Sequence, residues 1–152
     1  MISLILYNIF KSNWEKEHRP LEIKNTVLFY ILQWTWGLLA NIAGVIIMLV
    51  FLAKTKPQKY GRCISMQLPV NWGLSLGMFI FGEVSCLPHE HGHSFQNALY
   101  GPFFLTTVAL PSVVRFWYRR YKTSRGVKLE PYDSVWFEGM ATLTGKKYME
   151  QA

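Results

Sequence analysis

Charged residues, and acidic residues above all, are scarce in this chain of 152 residues. Only 16% of the residues are Asp, Glu, Lys or Arg, against roughly 25% in ordinary globular domains. So low a charge content excludes a disordered chain and a coiled coil. Cysteine is scarce too, because Cys63 and Cys86 are the only two, and two such residues exclude a disulfide framework. The length leaves room for one domain and excludes a multidomain enzyme.

Hydrophobic residues are abundant in the chain, and basic residues outnumber acidic ones by 16 to 9. Hydrophobic residues make up 51% of the sequence, aromatic residues make up 16%, and the formal net charge is +7. This combination predicts a small membrane protein, because Lys and Arg are enriched beside anionic headgroups while Trp and Tyr are enriched at the interface. The basic residues flank apolar runs instead of lining one polar face, so we expect no nucleic-acid partner.

The longest uncharged segment divides the chain into three parts. Residues 25–53 carry no charge between Lys24 and Lys54, and as one helix they would be about 43 Å long, enough to cross a bilayer. We therefore predict a transmembrane helix over these residues. Residues 1–24 are then an N-terminal interfacial segment without the features of a cleaved signal peptide. The Lys and Arg content after the helix favours a cytoplasmic location for residues 54–152.

Residues 54–152 contain three further predicted elements. Turn residues interrupt an uncharged run, which favours a β-hairpin with arms 62–68 and 74–81 over its alternative, a re-entrant pair of helices. Residues 103–122 end in a basic, aromatic stretch, which predicts a membrane-contacting helix that either spans the bilayer or lies in the interface. A final helix is expected over about residues 133–144.

One short motif carries the chemistry of the chain. His89, Glu90 and His93 form the pattern H-E-x-x-H, and a chance match in this composition is expected roughly 0.005 times. On a helix, His89 and His93 share a face, so both imidazoles can bind one metal ion while Glu90 acts as a general base. A solvated histidine patch is the alternative. His91 points away from the ligand face by helical geometry, and we do not expect it to be a ligand.

A catalytic zinc site needs a third protein ligand, and the sequence offers few acidic candidates. Glu138 lies in an apolar helical segment, where metal coordination would resolve the cost of burying its carboxylate; an exposed helical glutamate is the alternative. Asp133 is expected either to orient a ligand imidazole or to cap the final helix. Tyr132 is the first choice as a hydrogen-bond donor to the reacting carbonyl oxygen, with Tyr100 and Tyr148 as alternatives.

The H-E-x-x-H motif followed by a glutamate from a later helix resembles the gluzincin branch of zinc metallopeptidases. This resemblance implies a Zn²⁺ ion bound by His89, His93 and Glu138. The position four residues after the ligand glutamate is usually acidic in gluzincins and is Thr142 here. Residues 60–147, with the strings HEHGHSFQ and YDSVWFEGMAT, also resemble a group of small bacterial membrane proteins with a metalloprotease-like core. That likeness implies an integral protein of a bacterial cell membrane and brings no substrate with it.

The sequence therefore predicts a mainly α membrane protein with one long transmembrane helix and a small zincin-like α+β core. The core would contain the H-E-x-x-H helix, the hairpin and the C-terminal ligand helix. The expected activity is that of a membrane-anchored zinc metalloendopeptidase that hydrolyses a peptide or membrane-protein substrate near the bilayer surface, with Glu90 as general base. Residues 72–81 would provide an edge strand for an extended substrate. A non-catalytic metal-binding or accessory membrane protein is the alternative, and a pore component is a third hypothesis.

Overall fold

The computed structural model describes residues 20–150, which form an α+β fold of five α helices and one four-stranded sheet. Most of the predicted interfacial segment 1–24 lies outside the described residues. The helices are α1 (Thr26–Trp34), α2 (Leu38–Phe51), α3 (Leu87–Tyr100), α4 (Leu110–Ser124) and α5 (Trp136–Glu150). The strands are β1 (Gln58–Tyr60), β2 (Cys63–Gln67), β3 (Gly73–Leu76) and β4 (Phe79–Gly82). A π-helical turn, Leu105–Ala109, leads into α4, and a 3₁₀ turn, Tyr132–Ser134, precedes α5.

The predicted transmembrane helix over residues 25–53 is wrong, because the chain bends by 83° between α1 and α2. No single helix in the described part of the chain is long and apolar enough to cross a membrane. Two pairs of consecutive helices, within residues 26–51 and 84–124, reach that length only when both members are taken together, and the second pair is bent by 116°. We predicted a mainly α membrane protein that contains one long transmembrane helix, and this prediction is wrong. The described residues form an α+β fold instead.

Buried polar side chains hold the bend between α1 and α2 against α3. The Asn41 amide donates to the backbone oxygen of Gln33 at 2.6 Å, and the Asn97 amide of α3 donates to the Gln33 side-chain oxygen at 2.6 Å. Gln33 in turn donates to the backbone oxygen of Ser94 at 2.7 Å. A Cβ at Gly37 would overlap the Asn97 amide, so the bend requires glycine at this contact. Because these polar groups find their partners on α3, the apolar run folds back onto α3 instead of continuing as one straight helix.

The sheet has the strand order β1-β2-β4-β3, which places β3 at an edge. β2 pairs parallel with β4, whereas β3 and β4 form a tight antiparallel hairpin around Gly77, whose φ is 65°. The predicted hairpin with arms 62–68 and 74–81 is therefore wrong in its pairing, because the second arm folds on itself. Asn41 of α2 stabilises the tight turn by accepting a hydrogen bond from the backbone N–H of Met78 at 2.8 Å.

The helix α3 lies in the core and contacts the sheet, α1 and α5. Its Leu87 and Phe95 side chains are fully buried, together with Phe29 of α1 and Phe81 of β4. The rings of Phe29 and Phe95 lie 4.9 Å apart, so α1 packs directly on α3. This packing fixes α3, and with it the H-E-x-x-H motif, in the interior of the fold.

Glycines allow α3 and α5 to cross at close range. A Cβ at Gly92 of α3 would overlap the backbone oxygen of Ala141 in α5, and a Cβ at Gly145 of α5 would overlap the backbone oxygen of Pro88. Gly145 lies inside the helix at this crossing and does not end it. The predicted helix end near residue 144 is therefore wrong, because α5 continues to Glu150. The close crossing brings the histidine-bearing face of α3 against the first turn of α5.

Candidate metal centre

Three polar side chains converge where α3 crosses α5. His89 and His93 lie one turn apart on α3, and Glu138 lies in the first turn of α5. The two imidazole Nε2 atoms are 3.1 Å apart, and Glu138 Oε2 lies 2.9 Å from His89 Nε2 and 3.2 Å from His93 Nε2. The structure thus brings together the three ligand candidates that the sequence analysis named, in a triangle that could hold one metal ion.

The other ring nitrogen of His93 is held by Gln96. Gln96 Nε2 donates to the backbone oxygen of Phe137 at 2.8 Å, which leaves Gln96 Oε1 as the atom facing His93. His93 Nδ1 lies 2.6 Å from that oxygen. Because an amide oxygen only accepts hydrogen bonds, Nδ1 carries the proton. In the neutral imidazole, the lone pair therefore lies on His93 Nε2 and points at the cluster.

A second relay holds His89 in the same tautomer. The Thr142 hydroxyl donates to Asp133 Oδ1 at 2.9 Å, so its oxygen accepts from His89 Nδ1, which lies 2.8 Å away. His89 Nε2 then also carries a free lone pair. Asp133 thus reaches the ligand imidazole through a threonine hydroxyl, and Thr142 occupies the position that is acidic in gluzincins.

These relays leave three electron-rich atoms in contact. The two Nε2 atoms and one carboxylate oxygen lie within 3.2 Å of each other, and with both imidazoles in the neutral form no donor lies among them. A proton added to one imidazole, or a metal ion bound by all three atoms, would satisfy this cluster. Ligand atoms on tetrahedral zinc lie about 3.3 Å apart, since Zn–N and Zn–O bonds are about 2.0–2.2 Å long. The observed separations of 2.9–3.2 Å lie within a few tenths of an ångström of this value, so the three atoms are spaced closely enough to share one zinc ion.

The third ligand candidate, Glu138, is completely buried. Burial by itself would raise the pKa of Glu138, but hydrogen bonds to His89 and His93 hold it well below its ordinary range. The carboxylate is therefore charged. Its second oxygen, Oε1, accepts a hydrogen bond from the Tyr132 hydroxyl at 3.2 Å. Glu138 closes the back of the triangle, while both imidazoles face a cavity.

That cavity has a volume of about 1260 Å³ and opens beside the histidines. One wall is formed by β3 and the loop before it, including Trp72 and Gly73. The opposite wall is formed by the π-helical turn and α4, and it is mainly apolar, with Phe104, Val108 and Phe116. Such a shape accommodates a chain segment between a strand edge and an apolar helix face.

Glu90 lies on the cavity wall between the histidines and β3. A Cβ at Gly73 would overlap the Glu90 carboxylate, so a residue without a side chain at this point of β3 makes room for it. Burial raises the pKa of Glu90 to about 7, with His89 lowering it and Glu138 raising it by smaller amounts. A carboxylate with this pKa is suited to accept and return a proton near neutral pH.

Of the three tyrosines considered from the sequence, Tyr132 is the one that lines the cavity. Burial and the nearby Glu138 carboxylate raise its pKa above the ordinary value, so the hydroxyl keeps its proton. Tyr148 instead stacks on Phe95 at 4.2 Å and accepts a hydrogen bond from the backbone of Ile23. Tyr100 directs its hydroxyl to Met140 Sδ at 3.8 Å.

His91 lies on the opposite face of α3, as helical geometry predicts. Its Nε2 accepts a hydrogen bond from the backbone N–H of Arg62 at 3.3 Å. The centroid of its ring lies 5.9 Å from that of Tyr60 and 5.4 Å from that of Phe95. Burial, with a smaller contribution from Arg62, lowers the pKa of His91 to about 4. The side chain is therefore neutral in the folded protein at pH 7.

Sequence reasoning missed Gln96 and the bridging role of Thr142. Gln96 lies three residues after His93, a helical spacing that brings two side chains together, and this spacing is a signal that could have identified it. Thr142 was noted only as a departure from the gluzincin pattern. Its role depends on Asp133, which reaches it from the turn before α5, so no local signal reveals it.

Comparison of the chain with models of protein families, with curated proteins and with solved structures gives no match in any of the three. Any functional conclusion must therefore come from the site itself. The site contains a triangle of two imidazole nitrogens and one carboxylate oxygen, with a neighbouring glutamate and a tyrosine beside the same cavity.

Proposed function

We propose that the protein is a zinc-dependent metallopeptidase. The observation that supports it is the convergence of His89 Nε2, His93 Nε2 and Glu138 Oε2 beside a large cavity that both histidines line. Structural zinc sites are closed by four protein ligands, whereas catalytic sites use three and leave one position open. The cluster contains three ligand residues within the described part of the chain, and its imidazole side faces the cavity. This arrangement favours a catalyst over the non-catalytic metal-binding alternative.

The residues around the triangle have distinct roles in this proposal. A zinc ion held there would supply a Lewis acid that activates water and polarises a carbonyl group. Glu90, with a pKa of about 7, accepts the proton of the attacking water and returns it to the leaving amine. Tyr132 keeps its proton, and by turning its hydroxyl from Glu138 Oε1 it donates a hydrogen bond to the substrate carbonyl oxygen as negative charge develops there.

The cavity walls support a peptide as the substrate. Within residues 20–150, β3 pairs with β4 alone, and residues of β3 line the cavity. An extended peptide can add to such an edge through backbone hydrogen bonds. The apolar opposite wall, with Val108 and Phe116, suits an apolar substrate side chain. An extended segment that carries apolar side chains is therefore the expected substrate.

Replacement of the general base tests this proposal. Purified wild-type protein should contain about one zinc ion, measured by elemental analysis, and should cleave some members of a mixture of unstructured peptides, measured by mass spectrometry. Glu90→Gln should retain the zinc and lose activity by a factor of about 10² to 10⁴. Glu130→Gln, the same change at an exposed glutamate outside the cavity, is the matched control and should retain activity.

Two results would contradict the proposal. Equal hydrolysis by wild-type and Glu90→Gln protein would remove Glu90 from the mechanism. Stoichiometric zinc without cleavage of any peptide would instead support the non-catalytic metal-binding protein.

A further inference from the structure

Two helices direct apolar stripes outward, away from the core. The stripe on α2 repeats every three or four residues, and its exposed members are Leu39, Ile42, Ile46, Leu49 and Val50. The stripe on α4 has the same spacing, and its exposed members are Leu110, Val113, Val114, Trp117, Tyr118 and Tyr121. Helices at the surface of a globular protein normally direct such a stripe inward. We refer to the two stripes together as the outer apolar surface.

Arginine side chains attach α4 to the segment that precedes α5. Arg115 donates to the backbone oxygen of Tyr132 at 3.1 Å and to Ser134 Oγ at 3.0 Å. Arg119, one turn further, donates to the backbone oxygen of Glu130 at 2.7 Å. Charged side chains thus attach α4 to the domain, while the apolar side chains of its stripe remain between 42% and 61% exposed. Such exposure is expected of a helix whose outer face contacts an apolar medium.

The two stripes meet at one corner of the molecule. The rings of Trp36, between α1 and α2, and Phe103, just before the π-helical turn, pack edge to face at 6.3 Å. Both side chains remain largely exposed, Trp36 at 46% and Phe103 at 61%. The outer apolar surface is therefore continuous at this corner, and it exceeds the scattered exposed residues that are normal on a monomer.

The chain segments that carry this surface contain basic residues and no acidic ones. The sequence has no Asp or Glu between Glu22 and Glu83, and none between Glu90 and Glu130, so both stripes lie in segments free of acidic residues. Exposed Lys54 follows α2. At the end of α4, basic side chains lie over exposed rings, with Lys122 at 5.6 Å from Tyr118 and Arg125 at 5.2 Å from Tyr121.

We propose that the outer apolar surface docks on a bilayer that contains anionic phospholipid. The apolar stripes would lie in the interfacial layer, with neither helix crossing, and the basic side chains would contact phosphate groups. Exposed tyrosine and tryptophan are the residues that favour this depth. Val113 and Trp117 also line the cavity, so docking places the cavity mouth at the bilayer surface. The docking does not depend on the metal chemistry proposed above.

Flotation with lipid vesicles tests this proposal. Purified full-length protein should float with vesicles of phosphatidylcholine and phosphatidylglycerol, should bind phosphatidylcholine vesicles more weakly, and should lose affinity as salt increases. Lys122→Gln and Arg125→Gln should each weaken binding about fivefold, since each basic residue near an anionic surface contributes about that factor. Lys146→Gln removes one charge from an exposed position on α5 and should change binding little.

Apolar variants separate insertion from simple charge attraction. Ile46→Gln should weaken binding about tenfold at every salt concentration, whereas Ile46→Leu keeps the apolar area and should bind as wild type does. In the wild-type protein, vesicles with brominated acyl chains should quench tryptophan fluorescence, because Trp117 and the corner residue Trp36 are exposed on the outer apolar surface. That readout needs no variant to fold.

Three outcomes would overturn the proposal. They are absence of flotation, equal binding by Ile46→Gln and Ile46→Leu, and a discrete oligomer that forms without lipid and is dissociated by Ile46→Gln. The last result would assign the surface to a second copy of the chain.

Discussion

At the scale of single residues, the candidate metal centre depends on two side chains outside the triangle of candidate ligands. Gln96 accepts a hydrogen bond from His93 Nδ1, and Thr142 accepts one from His89 Nδ1. In the neutral form, both imidazoles therefore direct the Nε2 lone pair at the cluster. Such hydrogen bonds fix ring orientation as well as tautomer. Thr142 has the further support of Asp133, which takes the hydroxyl proton.

Replacement of Thr142 should reveal this role. Thr142→Val keeps the shape of the side chain but removes the acceptor of His89 Nδ1, so zinc affinity should fall by a factor of about 10 to 100. Competition with a chromophoric chelator measures the affinity. Thr142→Ser keeps the hydroxyl and serves as the control. If valine and serine at this position bind zinc equally well, the relay does not orient His89.

His91 should make the free energy of unfolding depend on pH. Its pKa is about 4 in the folded protein, mainly because it is buried, and about 6.5 in an unfolded chain. Between these values the unfolded state binds more protons than the folded state. The free energy of unfolding is therefore unaffected by His91 titration above pH 6.5 and decreases as the pH falls from 6.5 toward 4. The total loss is about 3 kcal/mol.

Urea titrations in the presence of a chelator can isolate this contribution. His91→Gln retains an acceptor for the Arg62 N–H but does not titrate, so its stability should fall less than that of the wild type between pH 6.5 and pH 4. Parallel pH profiles for the two proteins would show that His91 is not the responsible group.

At the scale of secondary-structure elements, the bend between α1 and α2 is the feature that shapes the fold. Asn41 connects three parts of the chain there, because it donates to Gln33 and accepts from Met78 in the β3–β4 turn. It is completely buried. The bend, the turn and the edge strand β3 therefore share one side chain.

Asn41→Leu should destabilise the protein by about 2–4 kcal/mol, because it leaves the Met78 N–H and the backbone oxygen of Gln33 without their partner in a buried site. Chemical denaturation measures this change. Ile42→Gln alters the exposed neighbour and should change stability by about 0.5 kcal/mol or less in the absence of lipid. A stable Asn41→Leu variant would mean that the polar cluster does not hold the bend.

At the scale of the whole molecule, the candidate metal centre joins two helices that are distant in sequence. His89 and Glu138 are separated by 49 positions and come from α3 and α5. A ligand that binds only the folded state stabilises it, by about 2.7 kcal/mol when its free concentration is 100 times the dissociation constant. Zinc should therefore raise the midpoint of thermal unfolding by about 5–10 °C over chelator-treated protein. Glu138→Gln should abolish this zinc-dependent shift, and an unchanged shift would exclude Glu138 as a ligand.

Parts of this molecule could be identified without coordinates because they depend on local periodicity. His89 and His93 are four residues apart, so any helix over this segment places both imidazoles on one face. Glu138 could be selected because acidic residues are few and this one lies among apolar residues. The exposed basic and aromatic end of α4 was likewise visible as a pattern, and its exposure in the structure agrees with that pattern.

The path of the chain between these elements depended on contacts that no local pattern contains. Residues 25–53 have the composition of a transmembrane helix, yet they bend because Gln33 and Asn97, 64 positions apart, meet as hydrogen-bond partners. The hairpin pairing changed because Asn41 holds a turn that lies 37 positions away. Asp133 reaches His89 only because α5 crosses α3 closely at Gly92 and Gly145. Periodicity reports which face of an element is apolar, whereas a buried polar group takes its direction from partners that only folding brings near.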